Sequence, residues 1–145
     1  MQRPLRIMLV EDDDAQARIV SLALETAQED CELRRVSDGD AAIDALRQTI
    51  VAQRGTLPDL MLLDLKMPRR NGFEVLEEIK TDPVLKMVPV VVLSASRAEQ
   101  DRRGAYTRHA NSYVTKPADF DDFVSLLHDL AAYWAKWNEP PTGDR

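Results

Sequence analysis

Short apolar runs alternate with amphipathic stretches along the whole chain. Residues 5–10 form an apolar run rich in branched side chains, and four acids, Glu11 to Asp14, stop it. Asp13 or Asp14 suits a helix N-cap, because a short carboxylate accepts from the free N–H groups of a first turn. Ala17, Val20, Leu24 and Ala27 then recur at helical spacing. Residues 31–36 predict a second strand, residues 37–40 a turn and cap, and Ala41, Ala42, Ala45, Leu46 and Ile50 the stripe of a second helix. Residues 53–58 read as a loop. Leu60 to Leu63 is wholly apolar up to Asp64, the pattern of a strand covered on both faces. Pro68 and Asn71-Gly72 make 66–72 a loop. Phe73, Val75, Leu76 and Ile79 begin a third helix, with Asp82-Pro83 beyond its end. Residues 88–93 predict a fourth strand with Ser94 at its end, 98–108 a polar helix, 112–114 a short fifth strand and 119–138 a strongly amphipathic last helix.

Strand and helix thus alternate five times, which predicts a parallel sheet covered on both faces. With right-handed crossovers this is an α/β fold, a doubly wound three-layer sandwich. In such sheets the chemistry sits at the carboxyl ends of the strands. Those ends carry Glu11 and Asp12, Asp64, Ser94 and Lys116.

Composition narrows the picture. The 145 residues suit one domain with one sizeable core. Acids outnumber bases 25 to 19, a formal net charge of −6, which lacks the footprint of a general nucleic-acid binder. Cys31 has no second cysteine to bond, and two histidines with one cysteine cannot build an ordinary zinc site. The longest apolar runs fall far short of the roughly 20 residues that span a bilayer. No signal-peptide hydrophobic region precedes the acids at 11–14. The expectation is a cytoplasmic domain with neither membrane nor nucleic acid as partner.

The residue types at the strand ends suggest a chemistry. Crowded carboxylates repel and raise one another's pKa, a cost that a divalent cation relieves. Mg²⁺ prefers hard oxygen ligands and takes one or two carboxylates with phosphate oxygens and water. Acids without His or Cys suit Mg²⁺ or Mn²⁺ over zinc. Lys116 could pair with a carboxylate or a phosphoryl oxygen, and Ser94 could donate to the same group. By itself, the run Glu11–Asp14 also reads as a helix cap on a solvated turn.

Five segments stand in order: Leu9-Val-Glu-Asp-Asp13, Val36-Ser-Asp-Gly39, Asp59-Leu-Met-Leu-Leu-Asp64-Leu-Lys-Met-Pro68 with Gly72, Pro89-Val-Val-Val-Leu-Ser-Ala95 and Tyr113-Val-Thr-Lys-Pro117. From about Leu5 to Ala132 the chain resembles a response-regulator receiver domain, the CheY-like phosphoacceptor module of two-component signalling. The resemblance implies a flavodoxin-like five-stranded sheet in order 2-1-3-4-5, a receiver domain over 1–138 and a short tail over 139–145. It assigns Asp64 as phosphoacceptor, forming an aspartyl phosphate by nucleophilic attack. It makes Asp12 the direct metal-binding acid, Glu11 its companion, often through water, and the Lys66 backbone carbonyl a further ligand beside Asp64. Lys116 would pair with the phosphoryl group, Ser94 would be the switch hydroxyl, and Tyr113 the aromatic switch whose ring moves inward. The implied function is a response regulator in a phosphorelay, not an enzyme, with Mg²⁺ as cofactor, Mn²⁺ as its substitute and a histidine kinase as phosphodonor.

The segment 80–96 and the long stretch before Asp59 resemble small receivers that partner phytochrome-type histidine kinases. The chain ends soon after the matched region, so a single-domain regulator that signals through protein contact is expected. A flavodoxin-like cofactor binder would need a glycine- or hydroxyl-rich phosphate loop where the four acids stand. A phosphohydrolase would want a second acid where Lys66 stands.

The last helix predicts two stripes. Phe120, Phe123, Val124, Leu127, Ala131 and Trp134 would face the sheet, while Leu126, Leu130, Tyr133 and Trp137 lie about 110° away at roughly 100° per residue. One stripe suffices to join the core, so the second predicts a partner face near Tyr113 and the fifth strand, most simply a homodimer. The alternative is a tail folded back over it. His109 and His128 read as solvated helix residues.

Overall fold

Because the strand residues are apolar on alternate and often on both sides, they bury a sheet between two helical layers. Strands β1 (Leu5–Val10), β2 (Cys31–Val36), β3 (Leu60–Leu63), β4 (Val90–Ser94) and β5 (Ser112–Thr115) run parallel in the order β2-β1-β3-β4-β5. Helices α1 (Asp14–Glu25), α2 (Gly39–Ala52), α3 (Gly72–Thr81), α4 (Glu99–Thr107) and α5 (Phe120–Ala132) alternate with them. The structure is a computed structural model and describes residues 3–52 and 57–141. Most of the expected 53–58 loop and the end of the expected 139–145 tail lie outside the described residues.

The side-chain period of a strand sorts the core into two halves. Leu5, Ile7 and Leu9 of β1, Leu60 and Leu62 of β3, and Val91 and Leu93 of β4 pack with α1 and α5. Met8 and Val10, Met61 and Leu63, and Val90 and Val92 pack on the opposite side with α2, α3 and Ala105 of α4. All four residues of β3 are buried. Among the described residues no helix is long and apolar enough to cross a membrane.

Caps decide where the helices begin. Asp13 accepts from the Gln16 N–H, Asp38 from Ala41 and Asp119 from Asp122. Asn71 and Glu74 form a reciprocal capping box at the start of α3. The next residue must be glycine, because a Cβ on Gly72 would lie 2.3 Å from the Asp64 carbonyl oxygen. That contact holds the start of α3 against the end of β3.

The structure corrects several expectations. The fourth strand begins at Val90, because a 3₁₀ turn at Leu85–Met87 takes up the Val88 N–H. The last helix is α-helical only to Ala132 and ends in a π turn at Tyr133–Trp137, where Asn138 bonds back to the Tyr133 carbonyl. Leu126 and Leu130 are half-buried against the α1–α5 half of the core. The reason is that α5 lies against both the sheet and α1, so it needs two apolar stripes. Of the expected partner face, Tyr133 and Trp137 are exposed, at 52% and 76%. Phe120, at the helix start, is exposed as well. Tyr113 packs on the other side of the sheet from Leu126 and Leu130. His128 is not a solvated residue: its Nε2 lies 2.9 Å from the Ala23 carbonyl and 3.0 Å from Thr26 Oγ1. His109 takes a left-handed φ of 69° just after α4.

Candidate functional site

Register brings the candidate residues together. Val10 pairs with Leu63 and Leu63 with Val92, so the next residues of β1 and β3, Glu11 and Asp64, leave the sheet side by side. The Asp64 N–H donates to the Val10 carbonyl at 3.1 Å. Carboxylate oxygens of Glu11, Asp12 and Asp64 lie within 4.8 Å of one another. Glu11 is buried, Asp64 half-buried and Asp12 exposed. Lys116, at the end of β5, donates from Nζ to Glu11 Oε1 at 2.6 Å, and both side chains are nearly sealed from solvent. Of the two partners open to Lys116 from its sequence, a carboxylate is the one seen.

These groups shape one another's charge. Burial pushes the Asp64 carboxyl up to about 6, and the neighbouring Glu11 adds to the rise. Lys116 and the Lys66 backbone N–H oppose it. An acid so placed is costly to ionise with protein groups alone. A set of three clustered carboxylates with no His or Cys fits a hard divalent cation such as Mg²⁺ or Mn²⁺. Asp12, Lys66, Met67, Pro68, Asn71 and Phe73 line an open hollow beside this cluster.

Ser94 is buried at the end of β4, and its Oγ accepts from the Ser96 N–H at 3.1 Å. Tyr113 donates from its hydroxyl to the Ser96 carbonyl at 2.9 Å. Its ring is already half-buried against the α2–α3 half of the core. Ser96 therefore touches both expected switch residues, and its own hydroxyl donates to Asp101 of α4. Sequence reasoning missed Ser96. The only signal was a second hydroxyl two residues after Ser94, common in any turn.

A family model described as "Response regulator receiver domain" matches residues 7–128. A probable methanogenesis regulatory protein, FilR2 of Methanothrix harundinacea, is 40% identical over 138 residues, 95% of this chain and 88% of that protein. Response regulator Rcp1 of Synechocystis is 40% identical over 131 residues, 90% of this chain and 89% of that protein. Its Mn²⁺-bound crystal structure aligns with a TM-score of 0.85 over 96% of this chain and 100% of that one, at 39% identity. The crystal structure of the phosphorylated cyanobacterial phytochrome response regulator RcpA aligns with a TM-score of 0.88 and 38% identity. It covers 97% of this chain and 100% of that one.

Proposed function

Because this chain belongs to the response regulator receiver family, we propose that Asp64 is its phosphoacceptor and that Glu11, Asp12, Asp64 and the Lys66 carbonyl hold the Mg²⁺ it needs. The single observation carrying this reading is the cluster of three carboxylates at the ends of β1 and β3 with Lys116 against it. The family takes its phosphoryl group from histidine kinases. The likeness to Rcp1 and RcpA supports a phytochrome-type kinase as donor for this chain.

The chemistry follows from placement. An Asp64 carboxylate oxygen attacks phosphorus in line, the new O–P bond forms, and the bond to the kinase imidazole nitrogen breaks with its electron pair leaving on that nitrogen. Mg²⁺, when bound, neutralises charge on the phosphoryl oxygens. Lys116 stands next to Glu11 and can turn its ammonium toward the new phosphoryl group. Ser94, one strand away, can donate to the same oxygens. The Ser94 hydroxyl, the Ser96 backbone and the Tyr113 hydroxyl are bonded in series. A pull on Ser94 therefore reaches the start of α4 and the Tyr113 ring, which makes that ring and the loop after β4 the switch.

The receiver takes up 1–138 and the tail 139–145. It turns over no substrate of its own, works in the cytoplasm and binds no nucleic acid, in keeping with a net charge of −6. A second copy of the chain docks at Tyr133 and Trp137, exposed at the end of the last helix, beyond the half-buried Leu126 and Leu130.

The test is intact mass after incubation with acetyl phosphate or a histidine kinase and Mg²⁺. The expected result is one added phosphate that Asp64→Asn and EDTA both abolish. An undiminished gain in Asp64→Asn would remove Asp64 from the role.

A further inference from the structure

Arg35 sits near the carboxyl end of β2, beside Leu9 of β1 in the sheet register. Its Nε donates to the backbone carbonyl of Glu11 at 2.9 Å, and its Nη1 to Asp14 Oδ1 at 2.8 Å. The Glu11 N–H in turn donates to the Val36 carbonyl at 3.1 Å. Both backbone polar groups of Glu11 are therefore tied to β2. The Glu11 carbonyl belongs to the peptide unit that leads directly into Asp12, so the bond from Nε fixes the plane from which the Asp12 side chain departs.

The rest of the guanidinium points to the same purpose. Asp14 is almost fully exposed, so its ion pair with Arg35 is screened and weak. Nη2 is buried without a hydrogen-bond partner among the described residues, an unfavourable arrangement. What the side chain does well is hold one buried carbonyl. Asp12 itself is exposed, so its backbone is a principal means of aiming it.

We propose that Arg35 is a positioning residue for the cation site: by holding the Glu11–Asp12 peptide it presents the Asp12 carboxylate to the metal. This rests on the reading of Asp12 as a metal ligand. The positioning effect and the charge effect of Arg35 have opposite signs. A guanidinium near the site repels a cation, so removal of its charge alone should tighten binding. Loss of the carbonyl bond should loosen it, as loss of an outer partner does at metal sites.

Calorimetric titration of the full chain with MgCl₂ separates the two. Arg35→Met keeps the side chain out to the ε position and loses the donor. Arg35→Gln puts a neutral amide N–H₂ at the place of Nε and keeps it. Arg35→Met is expected to raise the Kd about five- to tenfold, and Arg35→Gln to stay within about twofold of the wild type. Urea midpoints in EDTA, without metal, are expected to fall further for Arg35→Met, which leaves the buried Glu11 carbonyl without its donor, than for Arg35→Gln. Equal Mg²⁺ affinities for Arg35→Met and Arg35→Gln, weaker or stronger than wild type, would overturn the proposal. So would a drop in the urea midpoint of Arg35→Met with no change in its Kd. Asp12→Ala serves as the control. If it also leaves the Kd unchanged, the assignment of Asp12 as ligand fails first; if it weakens binding and Arg35→Met does not, only the role of Arg35 fails.

Discussion

Asp64→Asn should make the metal-free protein more stable, although it removes the proposed phosphoacceptor. The cause is the cost of a charged carboxylate among Glu11, Asp12 and buried backbone. Asp64 titrates at about 6 in the fold, against about 3.9 in an unfolded chain. A gap of about two in pKa corresponds to about 3 kcal/mol, and partial solvent access at Asp64 reduces this to about 1–2 kcal/mol. The sign follows from linkage. The folded pKa is raised, so the stability associated with protonated Asp64 is fully present below about pH 4 and lost as pH rises through about 6. The stabilisation by Asn should therefore be near zero at pH 4 and fully developed at pH 7.5. Urea unfolding of wild type and variant in EDTA at both values measures it. Saturating Mg²⁺ should then stabilise the wild type more than the variant and narrow or reverse the gap, since ligand binding to the native state adds to its stability. A variant less stable than wild type in EDTA at pH 7.5, or a gap that ignores pH, would refute the reasoning.

Four further substitutions have expected outcomes. Gly72→Ala forces a Cβ toward the Asp64 carbonyl; it should cost about 1–3 kcal/mol in urea unfolding and also slow phosphorylation from acetyl phosphate, because the strand end itself must shift. Tyr113→Phe removes the bond to the Ser96 carbonyl and should cost about 1 kcal/mol, with the phosphorylation yield by intact mass unchanged. In sedimentation, Trp137→Ala should lower the fraction of dimer while circular dichroism and the urea midpoint stay at wild-type values. Leu130→Glu, half-buried beside α1, should lose stability by about 1–3 kcal/mol as well; a wild type that remains monomeric at high micromolar concentration would remove the dimer face.

The sequence made the sheet legible because its three central strands, β1, β3 and β4, are short and largely apolar up to an acid or a hydroxyl. Leu60–Leu63 followed by Asp64 contains both the burial on two faces and the place where the chain leaves the sheet. The carboxylate cluster was legible for the same reason, since parallel strands align their ends. What escaped were facts that depend on which elements become neighbours. The fate of Leu126 and Leu130 turned on α1 lying beside α5, and the period of one helix contains no information about the next. The bond of Lys116 to Glu11 joins residues 105 positions apart. Lys80 donates to the carbonyls of Lys86 and Val88 and to Asn111 Oδ1, a clasp between α3 and the entries of β4 and β5 that no local pattern announces. Ser96 was hidden because a turn hydroxyl has no distinctive neighbours in sequence.

The sheet separates Tyr113 from the α1–α5 layer, and this partition has a consequence for descent. The end of α5 and the Ser94–Ser96–Tyr113 chain lie on opposite sides of a layer of buried strand residues, where changes of volume are costly. Substitutions at the end of α5 can therefore alter what the helix end meets while leaving the proposed switch residues on the other side of the sheet in place. Duplicated copies of such a gene could part company in what they assemble with long before they part company in how they are phosphorylated.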